Sequence, residues 1–340
     1  MPLYPLLLTP IYKEKVWGGR ALERFSRPLP GGPDLKIGES WELADLAATS
    51  PSGGGGEAAH SVVRNGPLRK RTLGEVIREF GTIVTGTMKL AADGSFPLLL
   101  KYLDARENLS VQVHPSEAYA AKHPSAHLKS EAWYVVAADP GATIYRGVVG
   151  GTDPDTFRRA IEDGSVEHLM LRQRAEPGQC VYLRSGTVHA LGAGILVAEV
   201  QTASDTAFRV FDWGRTDREL HIDEAIECID FSPPEESVAE ESAETTADGD
   251  WLARPLVSCE HFTICEWTAL RESEHSFCSD ELAVLMVIRG AGSIHWGETE
   301  IRTLAVSAGD TVLLPAGLAT VDLRAEDDLT LLEVTPPRNE

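Results

Sequence analysis

Residues 176–194 read EPGQCVYLRSGTVHALGAG, and residues 307–325 read SAGDTVLLPAGLATVDLRA. The two superimpose without a gap, matching Gly178 to Gly309, Val181 to Val312, Leu183 to Leu314 and Gly186 to Gly317. Each copy has a turn glycine, a short apolar strand, a second turn glycine and a strand that returns, which suits a small antiparallel barrel. A unit written twice predicts two such barrels in tandem. The copies part after the second glycine, where the first has His189 and the second Thr320. The first barrel keeps a ligand-type residue that the second lacks.

The other apolar runs agree with a mainly β chain. SFPLLLKYLDA, AWYVVAA, GILVAEVQTA, AVLMVIRG and LTLLEVT are rich in β-formers and punctuated by Gly, Pro or Asp. Short helices are predicted over 72–80 from Thr72, over 155–163 around Phe157 and Ile161, and over 222–229, where Ile222, Ala225, Ile226 and Ile229 have helical spacing. Residues 50–57, SPSGGGGE, read as a loop, and no Gly-Lys-Ser/Thr follows to make it a phosphate loop. Residues 233–250, PPEESVAEESAETTADGD, carry seven acidic and no basic side chains and read as a solvated linker. The expected organisation is a first domain over 1–232, an acidic flexible linker over 233–250 and a second domain over 251–340.

A length of 340 residues with 43% hydrophobic content supports a folded two-domain protein. The formal charge of −21 repels nucleic acid and anionic membranes, so neither is an expected partner, while a small phosphorylated ligand in a local basic pocket is compatible with it. No run approaches the ~20 apolar residues of a membrane helix. The start, MPLYPLLLTPIYKEK, is broken by Pro5 and Pro10 and has no basic segment ahead of its apolar run, so no secretion signal is expected. Five cysteines without a C-x-x-C pair argue against a disulfide framework or a thiolate zinc cluster and point to a reducing cytoplasm.

The chemistry gathers around LSVQVHPSEAYAAKHPSAHLKSEAWYVV, residues 109–136. Gln112 and His114 lie two apart on a strand, so both side chains enter one space about 7 Å apart along the backbone. Glu131 heads the next strand and His189 starts another, giving Gln, His, Glu and His from three adjacent strands. Nitrogen and oxygen donors without sulfur fit zinc with an open position, with iron or manganese as alternatives. His123 and His127 have the i, i+4 spacing of a helical metal motif, but Pro124 biases His123 away from helix, so that pair reads as solvated. His60, His168, His221, His261, His275 and His295 show no partner pattern.

FPLLLKYLDARENLSVQVHP, LKSEAWYVV, GTVHALGAG and SDTAFRVFDWGR, with the earlier KVWGG and GESWELAD, resemble the type I mannose-6-phosphate isomerases, zinc-dependent enzymes of the cupin superfamily. The resemblance runs in order from about residue 6 to 230. The remainder resembles the second, metal-free cupin barrel more loosely, and the chain lacks the large helical insertion of longer members, as in the compact bacterial form. What the resemblance implies is a mainly β fold of two jelly-roll barrels with a few short helices. It also implies one Zn²⁺ per chain on Gln112, His114, Glu131 and His189, a sugar-phosphate substrate, and a monomer or weak homodimer. Lys129, Arg209 and Asp205 match the family's catalytic positions, and Ser110 and Lys101 match its phosphate-binding ones. Two departures stand out: FRVFDWGR where many members have Arg, then Gly or Ala, then Leu-Thr, and Ser130 where Pro or Thr is common. Neither removes a functional group.

Aldose–ketose interconversion moves a proton between C1 and C2 through a cis-enediolate. On this reading zinc polarises the O1/O2 region, Arg209 stabilises the enediolate, Ser110 and Lys101 anchor the phosphate, and Lys129 moves the proton, with Asp205 as a carboxylate alternative. Lys101 also reads as a snorkelling strand-end lysine, whereas Arg209 inside an apolar FRVF run requires a partner. The competing classes are a non-catalytic sugar-phosphate-binding cupin, a cupin acting on another phosphosugar, and an Fe(II) oxygenase, against which Gln112 argues. Replacing residues 235–248 with a Gly/Ser linker should move the thermal midpoint little, because they carry no apolar anchor; a collapse of expression or melting temperature would contradict this.

Overall fold

The computed structural model of the chain describes residues 3–49, 55–123, 126–232, 244–279, 281–297 and 300–339. Its strands form two antiparallel sandwiches. In the first, a six-stranded sheet runs in the order Cys180–Leu183, Glu131–Ala138, Ile195–Thr202, Leu98–Ala105, Ile37–Leu43, Ile11–Gly19. It packs on a five-stranded sheet ordered Met170–Arg174, Thr143–Val148, His189–Leu191, Val111–Val113, Phe208–Phe211. Leu103, Val135 and Val197 from one sheet meet Ile144 and Leu191 from the other. Gly18 and Gly38 sit where the first two strands cross, so closely that a Cβ on Gly18 would lie 2.4 Å from the Gly38 nitrogen. The glycines of the KVWGG and GESWELAD motifs therefore serve a close backbone approach.

The second sandwich has an eight-stranded sheet ordered Thr246–Asp248, Trp251–Ser258, Thr263–Ala269, Leu329–Thr335, Ala283–Arg289, Thr311–Leu314, Leu6–Thr9, Val62–Val63. Its partner has four strands, Glu274–Ser279, Ala319–Ala325, Ala291–Trp296 and Arg302–Ser307. The repeat is visible in the matching strands Cys180–Leu183 and Thr311–Leu314. His189 is buried, however, while Thr320 is exposed and its neighbour Val321 fills the interior with Trp251, Phe277, Leu323 and Leu331. The second sandwich is closed by apolar packing at the level where the first holds polar groups.

The three predicted helices appear as Leu73–Phe80, Pro154–Glu162 and Ile222–Cys228. Thr72 caps the first in a reciprocal box with Glu75, and Asp153 caps the second with Pro154 in the first turn. Two further pieces, Thr82–Thr85 and Glu117–Lys122, are too short to show a helical period in sequence. Phe157, Ile161 and Ala225 from the later helices cover Val111, Val113 and Val210 on the outer face of the five-stranded sheet.

Both faces of the six-stranded sheet are largely covered. All eight residues of Leu98–Ala105 are buried. Leu98, Leu100 and Tyr102, with Ala132, Tyr134, Ala198 and Val200, pack on Val284, Met286, Leu332 and Val334 of the second sandwich. Polar groups bridge the same interface. The Tyr134 hydroxyl donates to Glu266 at 2.5 Å, and Arg254 donates to Glu266 and to the Gly178 carbonyl at 2.7 Å. Arg27 donates to Glu42 and to the Gly309 carbonyl at 2.9 Å.

The sheets do not divide at the domain boundaries expected from the sequence. Strand Leu6–Thr9 pairs with Thr311–Leu314, so residues from the first domain complete the second sandwich. Within the expected linker, residues 233–243 lie outside the described residues, whereas Thr246–Asp248 pairs with 251–253 as an edge strand after a reversal at Gly249, φ 61°. A linker replacement therefore has to stop before Thr246. Among the described residues no helix is long and apolar enough to cross a membrane.

Because one apolar core spans both sandwiches, Leu332→Ala should cost about 2–5 kcal/mol and lower the stability of both together. Denaturant unfolding followed by tryptophan fluorescence and circular dichroism should show one transition; two separated transitions would contradict the shared core.

Candidate active site

In strand Val111–Val113 the two valines turn outward into the helix-covered core, so Gln112 and, just past the strand end, His114 turn inward. His189 pairs directly with Gln112 on one side, and Arg209 pairs with it on the other. Glu131 heads a strand of the facing six-stranded sheet, so the donors converge from both sheets and not from three adjacent strands.

The Glu131 carboxylate lies 3.3 Å from His114 Nε2 and 3.3 Å from His189 Nε2. One donor atom from each of the three lies within 4.8 Å of the others, and the residues are 2%, 0% and 1% exposed. Among the described residues no second group of this kind occurs. His114 Nδ1 is 2.9 Å from the Thr206 carbonyl and His189 Nδ1 is 2.8 Å from that of Thr187. A carbonyl only accepts, so each Nδ1 carries its proton and each Nε2 turns a lone pair on the centre. Burial, with Lys129 nearby, pushes the His114 pKa down to about 4, and burial lowers that of His189, so both rings are neutral at pH 7. Burial alone would raise the Glu131 carboxyl, but the Lys129 ammonium beside it holds it well below the usual carboxylate range.

His114 Nε2 and both Glu131 oxygens are buried without an aligned hydrogen bond. Each such orphan costs about 1–3 kcal/mol, and three Lewis bases around one point are what a divalent cation satisfies. The Gln112 amide stands 3.5 Å from His189 Nε2, and turned over it presents its oxygen as a fourth donor. The residues present fit a metal.

Beside this centre opens a cleft of about 690 Å³, counted to its mouth, whose walls include Lys101, Ser110, Gln112, Lys129, Asp205 and Arg209. Lys129 Nζ reaches Glu131 at 2.7 Å and so joins the cleft to the buried donors. Lys101 does not snorkel. It is 5% exposed, pairs with Glu199 at 3.1 Å, donates to Gln201 at 2.8 Å and lies 5.1 Å over the Trp41 ring. Trp41, Lys101, Glu199 and Trp133 form one cross-strand row over four strands. Trp133 donates to Glu199 at 2.8 Å and sets its ring edge-on to His189 at 5.3 Å. Burial would raise the Glu39 carboxyl at the end of this layer, but Lys15 and Lys101 bring it down to about 2. Arg209 is 8% exposed, and its partner is the Glu219 carbonyl, 2.7 Å from Nη1, while its Nε is a buried orphan.

His123 closes helix Glu117–Lys122, stacks on Tyr119 at 4.0 Å and stays outside the cleft, and His127 lines a separate cavity. The sequence reading passed over Lys15, Glu39, Glu199, Gln201 and Arg218. Glu199 had a signal, a carboxylate inside the apolar run GILVAEVQTA; Arg218 had none.

Residues 6–141 match a family model described as phosphomannose isomerase type I, catalytic domain. The chain is 34% identical over 331 residues to the mannose-6-phosphate isomerase ManA of Bacillus subtilis, covering 95% of this chain and 96% of that one. It superimposes on a crystal structure of the mannose 6-phosphate isomerase from Bacillus subtilis with a TM-score of 0.83 at 31% identity, over 97% of this chain and 99% of that one. A zinc-bound mannose 6-phosphate isomerase shares the fold at a TM-score of 0.75 and 16% identity, over 98% of this chain and 99% of that one.

His189→Ala removes one of the inward lone pairs and should abolish tight divalent-metal binding, whereas Thr320→Ala, exposed in the second sandwich, should leave it intact. Elemental analysis after dialysis decides this; metal retained at wild-type level in His189→Ala would exclude the site.

Proposed function

The chain belongs to the type I phosphomannose isomerases, and from that premise we propose how its residues interconvert mannose 6-phosphate and fructose 6-phosphate by way of a cis-enediolate. The observation that carries the reading is the set of inward Nε2 and carboxylate donors opening, through Lys129, on a cleft walled by Arg209. The metal is zinc, one per chain, held by Gln112, His114, Glu131 and His189; the absence of sulfur donors and the zinc-bound relative of the same fold support this. When bound, zinc supplies Lewis acidity to the O1/O2 end of the sugar.

The protein's own groups do the rest. Lys129 moves the proton between C1 and C2, with the Asp205 carboxylate on the same cleft serving ring opening. Arg209 faces the developing enediolate oxygens. Its Nη1 is fixed on the Glu219 carbonyl and it is buried, so its charge is aimed before substrate arrives. Ser110 and Lys101 contact the substrate from the cleft wall, Lys101 held by Glu199 and Gln201. Cys180, Cys228, Cys259 and Cys265 are free thiols, which supports a reducing, cytoplasmic setting.

Incubating the pure protein with mannose 6-phosphate should yield fructose 6-phosphate, and strong chelation should abolish the turnover; no product, or turnover that survives complete metal loss, would refute the reading. Arg209→Lys keeps a charge but loses the planar fork, so kcat should fall by about 10² to 10³, or ~3–4 kcal/mol, with KM changing less. A change confined to KM would remove Arg209 from the catalytic set.

A further inference from the structure

The isomerase reading, on which this inference rests, requires a dianion to be held in the cleft, and the cations of the cleft are not equally free to hold it. On the six-stranded sheet they are already matched. Lys15 Nζ lies 3.1 Å from Glu39, and Lys101 Nζ lies 3.1 Å from Glu199 and donates to Gln201 at 2.8 Å. A phosphate placed there would meet two buried carboxylates, Glu39 and Glu199.

The other wall is different. Arg209 stands there with Arg218, and Arg218 shares one carboxylate, Asp212, whose side chain is 1% exposed, with Arg215. Arg215 donates to Asp212 from Nε at 3.1 Å and Nη2 at 2.6 Å, and also bonds the Asn108 carbonyl at 2.7 Å. Its Nη1 is 3.7 Å from Glu107. Arg218 donates from Nε at 2.8 Å and from Nη2 at 2.6 Å. The fork fixes the plane of the Arg218 guanidinium and leaves Nη1 outside it, on a side chain 22% exposed and on the cleft wall. Burial lowers the Arg209 pKa, and repulsion from Arg218 adds to it, while Asp212 opposes the shift.

We propose that Arg218 is the residue that receives the phosphate of the substrate, a binding and specificity residue additional to those above. A guanidinium already oriented by a buried carboxylate loses little further freedom on taking a phosphate oxygen, and its planar donors match that oxyanion better than an ammonium does. Lys101, with its carboxylates, then faces the sugar and not the phosphate.

The test uses the zinc-loaded full chain and inorganic phosphate as a competitive inhibitor of mannose 6-phosphate turnover. Arg218→Met should raise both the phosphate Ki and the substrate KM by roughly 10- to 100-fold, with kcat within about threefold of wild type. Arg215→Met, which also removes bonds to Asp212 but not on the cleft wall, should leave the phosphate Ki within about twofold. Should Arg218→Met fail to fold, Arg218→Gln, which can still donate to Asp212, carries the same comparison. An unchanged phosphate Ki in the folded Arg218 variant overturns the assignment, and a rise in Lys101→Met alone would put the phosphate on the lysine wall. Were the wild type not to turn over mannose 6-phosphate, the isomerase reading would fall, and calorimetric titration of phosphate into wild type and Arg218→Met would still decide the anion site.

Discussion

A carboxylate with none of its surface exposed stays ionised only if positive charge or hydrogen-bond donors come to it, and Glu131 is such a group. The first sandwich is shaped by that requirement. His114 and His189 are anchored through Nδ1 to the carbonyls of Thr206 and Thr187, which leaves their lone pairs and not their protons toward the carboxylate. Lys129 supplies a positive charge from the cleft side. The same interior carries a second ionic layer, Glu39, Lys101 and Glu199, in which each charge is met by an opposite one and each carboxylate also accepts from an indole, Trp41 or Trp133. Removing one member of a layer like this leaves its neighbour buried and unmatched, so these residues act as a unit.

Such a layer holds its geometry only on a rigid support. The six-stranded sheet provides it because its other face is buried against the second sandwich. Successive residues of Glu131–Ala138 serve opposite masters: Glu131 and Trp133 face the chemistry, while Ala132 and Tyr134 face the neighbouring sandwich, where Tyr134 is bonded to Glu266. The second sandwich, its own interior filled by Trp251, Phe277 and Val321, carries no comparable donor set among the described residues and contributes stiffness.

Much of this was legible in the chain. The gap-free repeat announced two β-units, and the period of two placed Gln112 and His114 on one side of a strand. The helix starts expected at Thr72 and at residue 155 lie within a residue of the observed starts at Leu73 and Pro154. What the sequence could not carry is the pairing of distant strands. Glu131 approaches from the sheet opposite Gln112, and Lys101 is held by Glu199 from a strand about a hundred residues later, so its environment is invisible locally. The fork at Asp212 lies in irregular chain, where neither helical nor strand period constrains side-chain direction. The crossing of Leu6–Thr9 into the second sandwich is hidden for a similar reason: nothing in LLLT at residues 6–9 says that its partner lies three hundred residues away.

That last pairing bears on how the molecule is made. Leu6 sits opposite Leu313, and the backbone N–H groups of Lys89 and Asn339 donate to the carbonyls of Pro337 and Thr87, so early and late segments of the chain are held together. During synthesis strand Leu6–Thr9 can meet Val62–Val63 early, but its other side stays unpaired until Thr311–Leu314 has been made. Contacts so far apart in sequence make for slow folding, because the long loop between the two strands has to close before their pairing is rewarded.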